Sequence, residues 1–241
     1  MRDFNIIFCG YRSWAFEVIQ EVLSEFGETI SFTICVDPNA LKKAVENKNQ
    51  KIDLIFFIGW SWIVSDYIVD NYTCICAHPS SLPEYRGGSP IQHQIINGEE
   101  NSEVTFFIMN KEIDCGPIIC SIFYSLLGSL EEVIGDIICA AEEGVVYIIN
   151  EFIKVGKVHS VIQKEIKPIY KRRTPNMSEI EVSDFKKYFA KDLYNKIRAL
   201  QDPYPNAFVT CKDGTRLFII DTYVKEEEEN VYENANYSSA Y

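Results

Sequence analysis

The sequence predicts an α/β fold on a mostly parallel sheet, followed by a small helical and β-hairpin region. Three observations point there. In the first third of the 241-residue chain, short apolar runs alternate with amphipathic stretches. The runs are too continuously apolar for strands with one wet face, so helices must cover both sides of the sheet. Near the C-terminus, two short runs flank Lys212-Asp213-Gly214-Thr215, a composition that turns one antiparallel strand into the next.

Phe4–Gly10 reads as a buried strand, followed by a helix from Ser13 to Phe26. Ser31–Val36 is a second strand with a helix-compatible segment after Asp37, Asp53–Ile58 a third strand, and Tyr72–Ala77 a fourth. From His78 to Pro90 the chain is rich in Pro, Gly and Ser, the composition of a structured loop. Pro90 opens a helix over Ile91–Asn97 that Gly98 ends. Val104–Met109 and Ile118–Tyr124 form a strand pair around the loop Asn110–Pro117. Between Ser129 and Val155, Leu130, Val133, Ile134, Ile137, Ile138, Val145, Ile149, Phe152 and Ile153 recur at helical spacing, which marks a long helix packed across the sheet. Asp184–Leu200 holds one or two helices, and Ala207–Cys211 with Arg216–Asp221 makes the hairpin. The expected division is a core over 1–180, a small subdomain and possible dimer contact over 181–225, and an acidic tail over 226–241.

Composition narrows the function. With 47% hydrophobic and 24% charged residues, the chain has the make-up of a globular protein. No apolar run approaches the roughly 20 residues that span a bilayer. The opening residues lack the regions of a secretory signal, so the expected compartment is the cytoplasm, with no membrane partner. A net charge of −12 disfavours a nucleic-acid partner, which needs clustered Lys and Arg. Eight cysteines without a C-x-x-C pair, and three scattered histidines, argue for reduced thiols and against a metal site.

Ligands of an open α/β sheet bind beyond the carboxyl ends of its strands. Gly10-Tyr11-Arg12, Gly59-Trp60-Ser61-Trp62 and the His78–Pro90 loop should converge there. The glycine fingerprint of dinucleotide binding is missing after the first strand, and there is no P-loop lysine motif. His78 at a strand end and Asp114 in the turn Asp114-Cys115-Gly116-Pro117 would, brought together in a cleft, make a proton-handling pair.

The stretch His78-Pro79-Ser80-Ser81-Leu82-Pro83-Glu84-Tyr85-Arg86-Gly87-Gly88-Ser89-Pro90 resembles the signature of the folate-dependent formyltransferases. The same order of features continues through Ile95-Ile96-Asn97-Gly98, Val104-Thr105 and Met109 to Asp114-Cys115-Gly116-Pro117-Ile118. Gly59-Trp60-Ser61-Trp62-Ile63, Tyr170–Pro175 and Ile197–Phe208 resemble segments of the branch that acts on nucleotide-linked sugars.

The resemblance implies a Rossmann-like formyltransferase core and a formyl transfer from N10-formyltetrahydrofolate, with no metal. The acceptor would be the C4 or C3 amine of a dTDP-linked amino-dideoxyhexose for surface polysaccharide. Transfer to methionyl-tRNA or glycinamide ribonucleotide, or a non-catalytic folate- or nucleotide-binding relative, are the alternatives. By the same resemblance His78 and Asp114 carry the chemistry, and Trp60, Trp62, Leu82, Arg86, Gly87 and Asp114 lie around the folate. Arg172, Arg173 and Arg198 would meet the substrate's diphosphate, Arg12 is a further substrate-binding candidate, and Tyr11, Trp14 and Tyr204 could stack on its base. The expected assembly is a homodimer. One position departs: the family has Asn two residues before the histidine, and this chain has Cys76. A thiol is a weak donor where the amide would steady the formyl oxygen, so a slow enzyme, a compensated one and an inactive one are all open.

Overall fold

The computed structural model describes residues 4–47 and 50–225. Its main sheet contains β1 (Phe4–Cys9), β2 (Ile30–Cys35), β3 (Leu54–Ile58), β4 (Cys74–His78), β5 (Asn101–Ile108) and β6 (Ile118–Ser125) in the order β2-β1-β3-β4-β5-β6. The first four strands are mutually parallel; β5 runs antiparallel to β4, and β6 antiparallel to β5. The α/β fold read from the sequence is the fold observed. Chain order reverses at β1, which lies between β2 and β3, so the loops after β1 and β3 diverge and leave a crevice between them.

Strand parity divides the core into two layers. Ile6, Phe8 and Phe56 face α1 (Ser13–Phe26) and α5 (Leu130–Val155). Ile7, Cys9, Ile55 and Phe57 face the opposite layer, with α2 (Pro38–Glu46) and α3 (Asp66–Asn71). Helix α1 buries Ala15, Val18, Ile19, Val22 and Phe26, one stripe at helical spacing. Helix α2 starts where Asp37 accepts the N–H groups of Asn39 and Ala40 at 2.7 and 2.9 Å. A capping box of Ser129 and Glu132 begins α5, and Gly156 in the left-handed region (φ 74°) ends it. Helix α5 lies so close to β5 that a Cβ on Gly144 would sit 2.0 Å from the Phe106 ring.

Two elements differ from the sequence reading. Helix α3 was not anticipated, because six residues are too few to display a helical period. Strand β5 begins at Asn101 rather than Val104, since ladder pairing with Ser125, Tyr124 and Phe123 carries its polar first residues.

Helix α4 (Pro90–Ile96) follows the long loop, as expected. Beyond residue 180 come α6 (Asp184–Lys187), α7 (Ala190–Arg198) and the hairpin β7 (Ala207–Thr210) and β8 (Arg216–Ile219). They share a small core of Ile180, Leu193, Ile197, Leu200 and Ala207, separate from the two layers above. The expected tail over 226–241 lies outside the described residues. Among the described residues no helix is long and apolar enough to cross a membrane.

Candidate active site

Three connections deliver the site to the carboxyl ends of the parallel strands: the turn after β1, the turn after β3, and the loop from His78 to Pro90. They enclose a cleft of about 640 Å³. His78 and Cys76 stand two residues apart on β4, so both side chains leave the same face of the sheet. His78 is buried, and its Nε2 lies 3.1 Å from the Tyr85 carbonyl oxygen. A carbonyl only accepts, so Nε2 carries the hydrogen and Nδ1 is the nitrogen free to exchange a proton.

Nδ1 faces Asp114, whose Oδ2 is 3.6 Å away. That gap is too long for a hydrogen bond, so the two groups stand side by side on the cleft without bonding each other. Oδ2 also accepts the Gly87 N–H at 2.8 Å. Asp114 adopts a left-handed backbone (φ 51°), and a Cβ on Gly116 would lie 1.7 Å from the Ile108 carbonyl oxygen. Only glycine lets the connection turn tightly enough to carry Asp114 back toward His78.

Cys76 also lines the cleft. Burial, and after it the charge of Asp114, hold its thiol well above the ordinary value. It is therefore an S–H group at neutral pH: a weak donor, and not a thiolate nucleophile. The mouth of the cleft is aromatic and cationic. Tyr11 donates to Ser61 Oγ at 2.8 Å, its ring centroid lies 4.4 Å from Trp62, and the Arg12 guanidinium sits 5.0 Å over it. Burial pushes the Tyr11 hydroxyl up, but the Ser61 bond together with Arg12 and Arg172 leave it below the usual tyrosine value. Tyr204 is raised, chiefly by burial, against the pull of the same two arginines. Among the described residues neither Arg12 nor Arg172 has a carboxylate partner. In a chain with 35 acidic residues, that leaves two positive charges facing an open mouth.

The cleft suits a flat heteroaromatic ligand. Trp60 and Trp62 meet edge to face with centroids 4.8 Å apart, and the buried indole N–H of Trp60 has no hydrogen-bond partner.

Of the residues singled out in the sequence, Arg12, Trp14, Trp60, Trp62, Cys76, His78, Gly87, Asp114, Arg172, Arg173 and Tyr204 line the cleft, and Tyr11 packs at its rim. Arg173 is partly committed: its backbone N–H reaches Ser89 Oγ and its Nη2 the Met177 carbonyl. Three residues are placed elsewhere. Leu82 is buried under the loop, with its N–H on Thr105. Arg86 is buried and turned away, donating to the Lys167 carbonyl, so the loop reaches the cleft through Gly87 and Gly88 instead. Arg198 is buried on Asn195 and on the carbonyls of Leu126 and Gly128, holding the β6–α5 connection rather than facing the cleft. Arg198 is thus not available to a substrate phosphate there.

Several participants carried no sequence signal. The Tyr85 carbonyl that fixes the His78 tautomer is backbone, and Gln163, which bonds the Asp114 turn, is a lone polar residue in Val161-Ile162-Gln163-Lys164.

Comparison with known proteins yields a family model described as formyl transferase over residues 35–125, which contain His78 and Asp114, and a formyl transferase C-terminal domain over 181–236. The chain is 26% identical to the methionyl-tRNA formyltransferase of Fusobacterium nucleatum over 96% of its own length and 82% of that protein. It is also 26% identical to that of Syntrophomonas wolfei, of which it spans 59%. Among solved structures, the methionyl-tRNA formyltransferase of Clostridium thermocellum superposes with a TM-score of 0.74 at 26% identity, over 90% of this chain and 97% of that one. HypX of Aquifex aeolicus in complex with tetrahydrofolic acid gives 0.73 at 21%, over 92% and 38%. A sugar N-formyltransferase of Shewanella gives 0.65 at 17%, over 93% and 99%.

Proposed function

The chain belongs to the formyl transferase family, and from that premise we propose that it moves a formyl group from 10-formyltetrahydrofolate to the primary amine of a nucleotide-linked amino sugar. One observation carries the reading. The pair His78 and Asp114 stands in a cleft whose mouth presents Arg12 and Arg172 without carboxylate partners among the described residues.

The bound folate supplies the formyl group, and the aromatic wall of Trp60 and Trp62 offers faces to its pterin. The chain's own residues handle protons and charge. An ammonium has no lone pair, so the acceptor must enter as an amine and shed a proton as its nitrogen bonds to carbon. Nδ1 of His78 and the Asp114 carboxylate both face that proton and can accept it, and the same proton would serve the folate nitrogen as its bond to the formyl carbon breaks and tetrahydrofolate leaves. The Gly87 N–H holds the Asp114 carboxylate in place and the Tyr85 carbonyl holds the His78 ring. The Cys76 S–H offers a weak bond to the formyl oxygen as charge builds there.

For the acceptor, two guanidinium groups suit a diphosphate, and Tyr11, Trp14 and Tyr204 offer faces to a base. The resemblance in the sequence points to a dTDP-linked sugar with its amine at C4 or C3, made for surface polysaccharide. The names of the Fusobacterium and Syntrophomonas relatives support a second reading, methionyl-tRNA as acceptor. The net charge of −12 weighs against it, because tRNA phosphates demand a basic face.

The test is direct. Purified protein is incubated with 10-formyltetrahydrofolate and either a panel of nucleoside-diphosphate amino sugars or methionyl-tRNA, and products are read by mass spectrometry. A formamido sugar supports the proposal. Formylmethionyl-tRNA alone would replace the acceptor, and no product from any amine would remove the activity.

A further inference from the structure

We propose that Gln163 is a positioning residue for Asp114, a role that rests on the reading of Asp114 as half of the proton-handling pair. The connection from β5 to β6 is largely a solvent loop: Lys111, Glu112 and Ile113 are exposed. Its catalytic turn, Asp114 to Gly116, holds a left-handed aspartate, a conformation that costs free energy and persists only where neighbours impose it. Those neighbours can be named. On one side the Gly87 N–H holds the carboxylate. On the other, both carbonyls of the turn accept from one amide: Gln163 Nε2 lies 3.1 Å from the Asp114 oxygen and 2.8 Å from the Gly116 oxygen. Among the described residues no other side chain outside this connection bonds the turn's main chain.

Gln163 is itself fixed. Two residues earlier, Val161 exchanges hydrogen bonds with Ile118 at 2.7 and 2.8 Å, anchoring the segment to the start of β6. Further on, Tyr170 bonds the Arg86 carbonyl and the Gly88 N–H, and the Lys167 carbonyl holds Arg86. A single stretch, 161–170, therefore ties the Asp114 turn to the loop that carries Tyr85 and Gly87. Most residues of this stretch are exposed, while Gln163 is half-buried with its amide turned inward. The 3.6 Å spacing between His78 and Asp114 is set from both sides by it.

A displacement of about 1 Å in a reacting group can cost on the order of 100-fold in rate. Two variants test the role. Gln163→Glu preserves shape and removes the N–H donors, and Gln163→Leu removes both the donors and the acceptor. Each should lower kcat by about 10- to 100-fold, with KM for folate and for the acceptor within about twofold of the parent. Hydrogen–deuterium exchange in the absence of substrates should show faster uptake over 109–117, with β4 unchanged. A parent-like kcat in Gln163→Glu, a rise in KM at constant kcat, or unchanged uptake over 109–117 would overturn the proposal. So would loss of thermal stability matching the loss of turnover in both variants, since Gln163 would then serve the fold. Exchange needs no turnover, so it decides the positioning role even if the protein formylates none of the acceptors offered.

Discussion

At the scale of single residues, the chemistry reduces to two acids and one thiol. Because Nε2 of His78 is spent on the Tyr85 carbonyl, only Nδ1 and the carboxylate of Asp114 can trade a proton with a substrate. His78→Asn and Asp114→Asn are each expected to remove most turnover and leave the melting temperature within a few degrees of the parent; steady-state rates and thermal melts check this. Cys76 makes a different prediction. Removing a good oxyanion donor costs about 3–4 kcal/mol in enzymes that rely on one. Placing an amide donor there by Cys76→Asn should therefore raise kcat, by on the order of 10- to 100-fold. Cys76→Ala should keep measurable activity, since burial and the charge of Asp114 raise the thiol and disfavour the thiolate that a covalent step would need. Iodoacetamide at neutral pH should label the exposed Cys139 and Cys211 and spare Cys76, read by peptide mass spectrometry.

At the scale of elements, the loop after β4 is held by a buried polar network rather than by apolar packing. Thr105 on β5 donates to the Ser80 carbonyl at 2.7 Å and accepts from the Leu82 N–H at 3.3 Å, while Gln94 and Tyr124 both donate to the Pro79 carbonyl. Thr105→Val keeps the volume and removes the hydroxyl's bonds to this loop, leaving the Leu82 N–H and the Ser80 carbonyl their bond to each other at 2.9 Å, so it should destabilise the protein by about 0.5–1.5 kcal/mol. Urea denaturation measures it, and a change below about 0.5 kcal/mol would place the loop's support elsewhere. Most of the elements could be read from the chain, because their signals are local. The stripe of Ala15, Val18, Ile19 and Val22 declares α1, and Asp37-Pro38 declares the start of α2. The site was only half legible. His78 and Asp114 sit in recognisable turns, but the side chain of Arg86 is aimed by packing around residue 167, and that of Arg198 by carbonyls some 70 positions away. No local pattern encodes such direction. Gln163 was invisible for the same reason: its two acceptors are main-chain oxygens of a turn 47 and 49 residues upstream.

For the molecule as a whole, charge and surface decide. The acidic total and the cationic mouth predict that inorganic pyrophosphate competes with the acceptor and not with folate. Arg172→Gln should raise the acceptor's KM several-fold and hardly move that of folate. The hairpin leaves Leu217 and Phe218 on its edge strand, and Ile220 just past it, at 62%, 53% and 66% exposure, a surface that suits a second copy of the chain. Light scattering should then report a dimer for the parent and a monomer for Leu217→Ser/Phe218→Ser. Burial also sets an alkaline limit. Desolvation pushes the Cys74 and Cys120 thiols from the ordinary value of 9.0 up to about 12. A group whose folded value is raised stabilises fully below its unfolded value, and the contribution is lost as pH climbs toward the folded one. Stability should therefore fall between about pH 9 and 12, and Cys74→Ala should flatten part of that fall in melts.

The measurement closest to the central claim is a single-turnover mixture of enzyme, 10-formyltetrahydrofolate and a nucleoside-diphosphate amino sugar, run in parallel with the parent and Asp114→Asn. The account predicts a formamido sugar from the parent, and from the variant intact binding of both ligands with almost no product. Equal product from both proteins would contradict it.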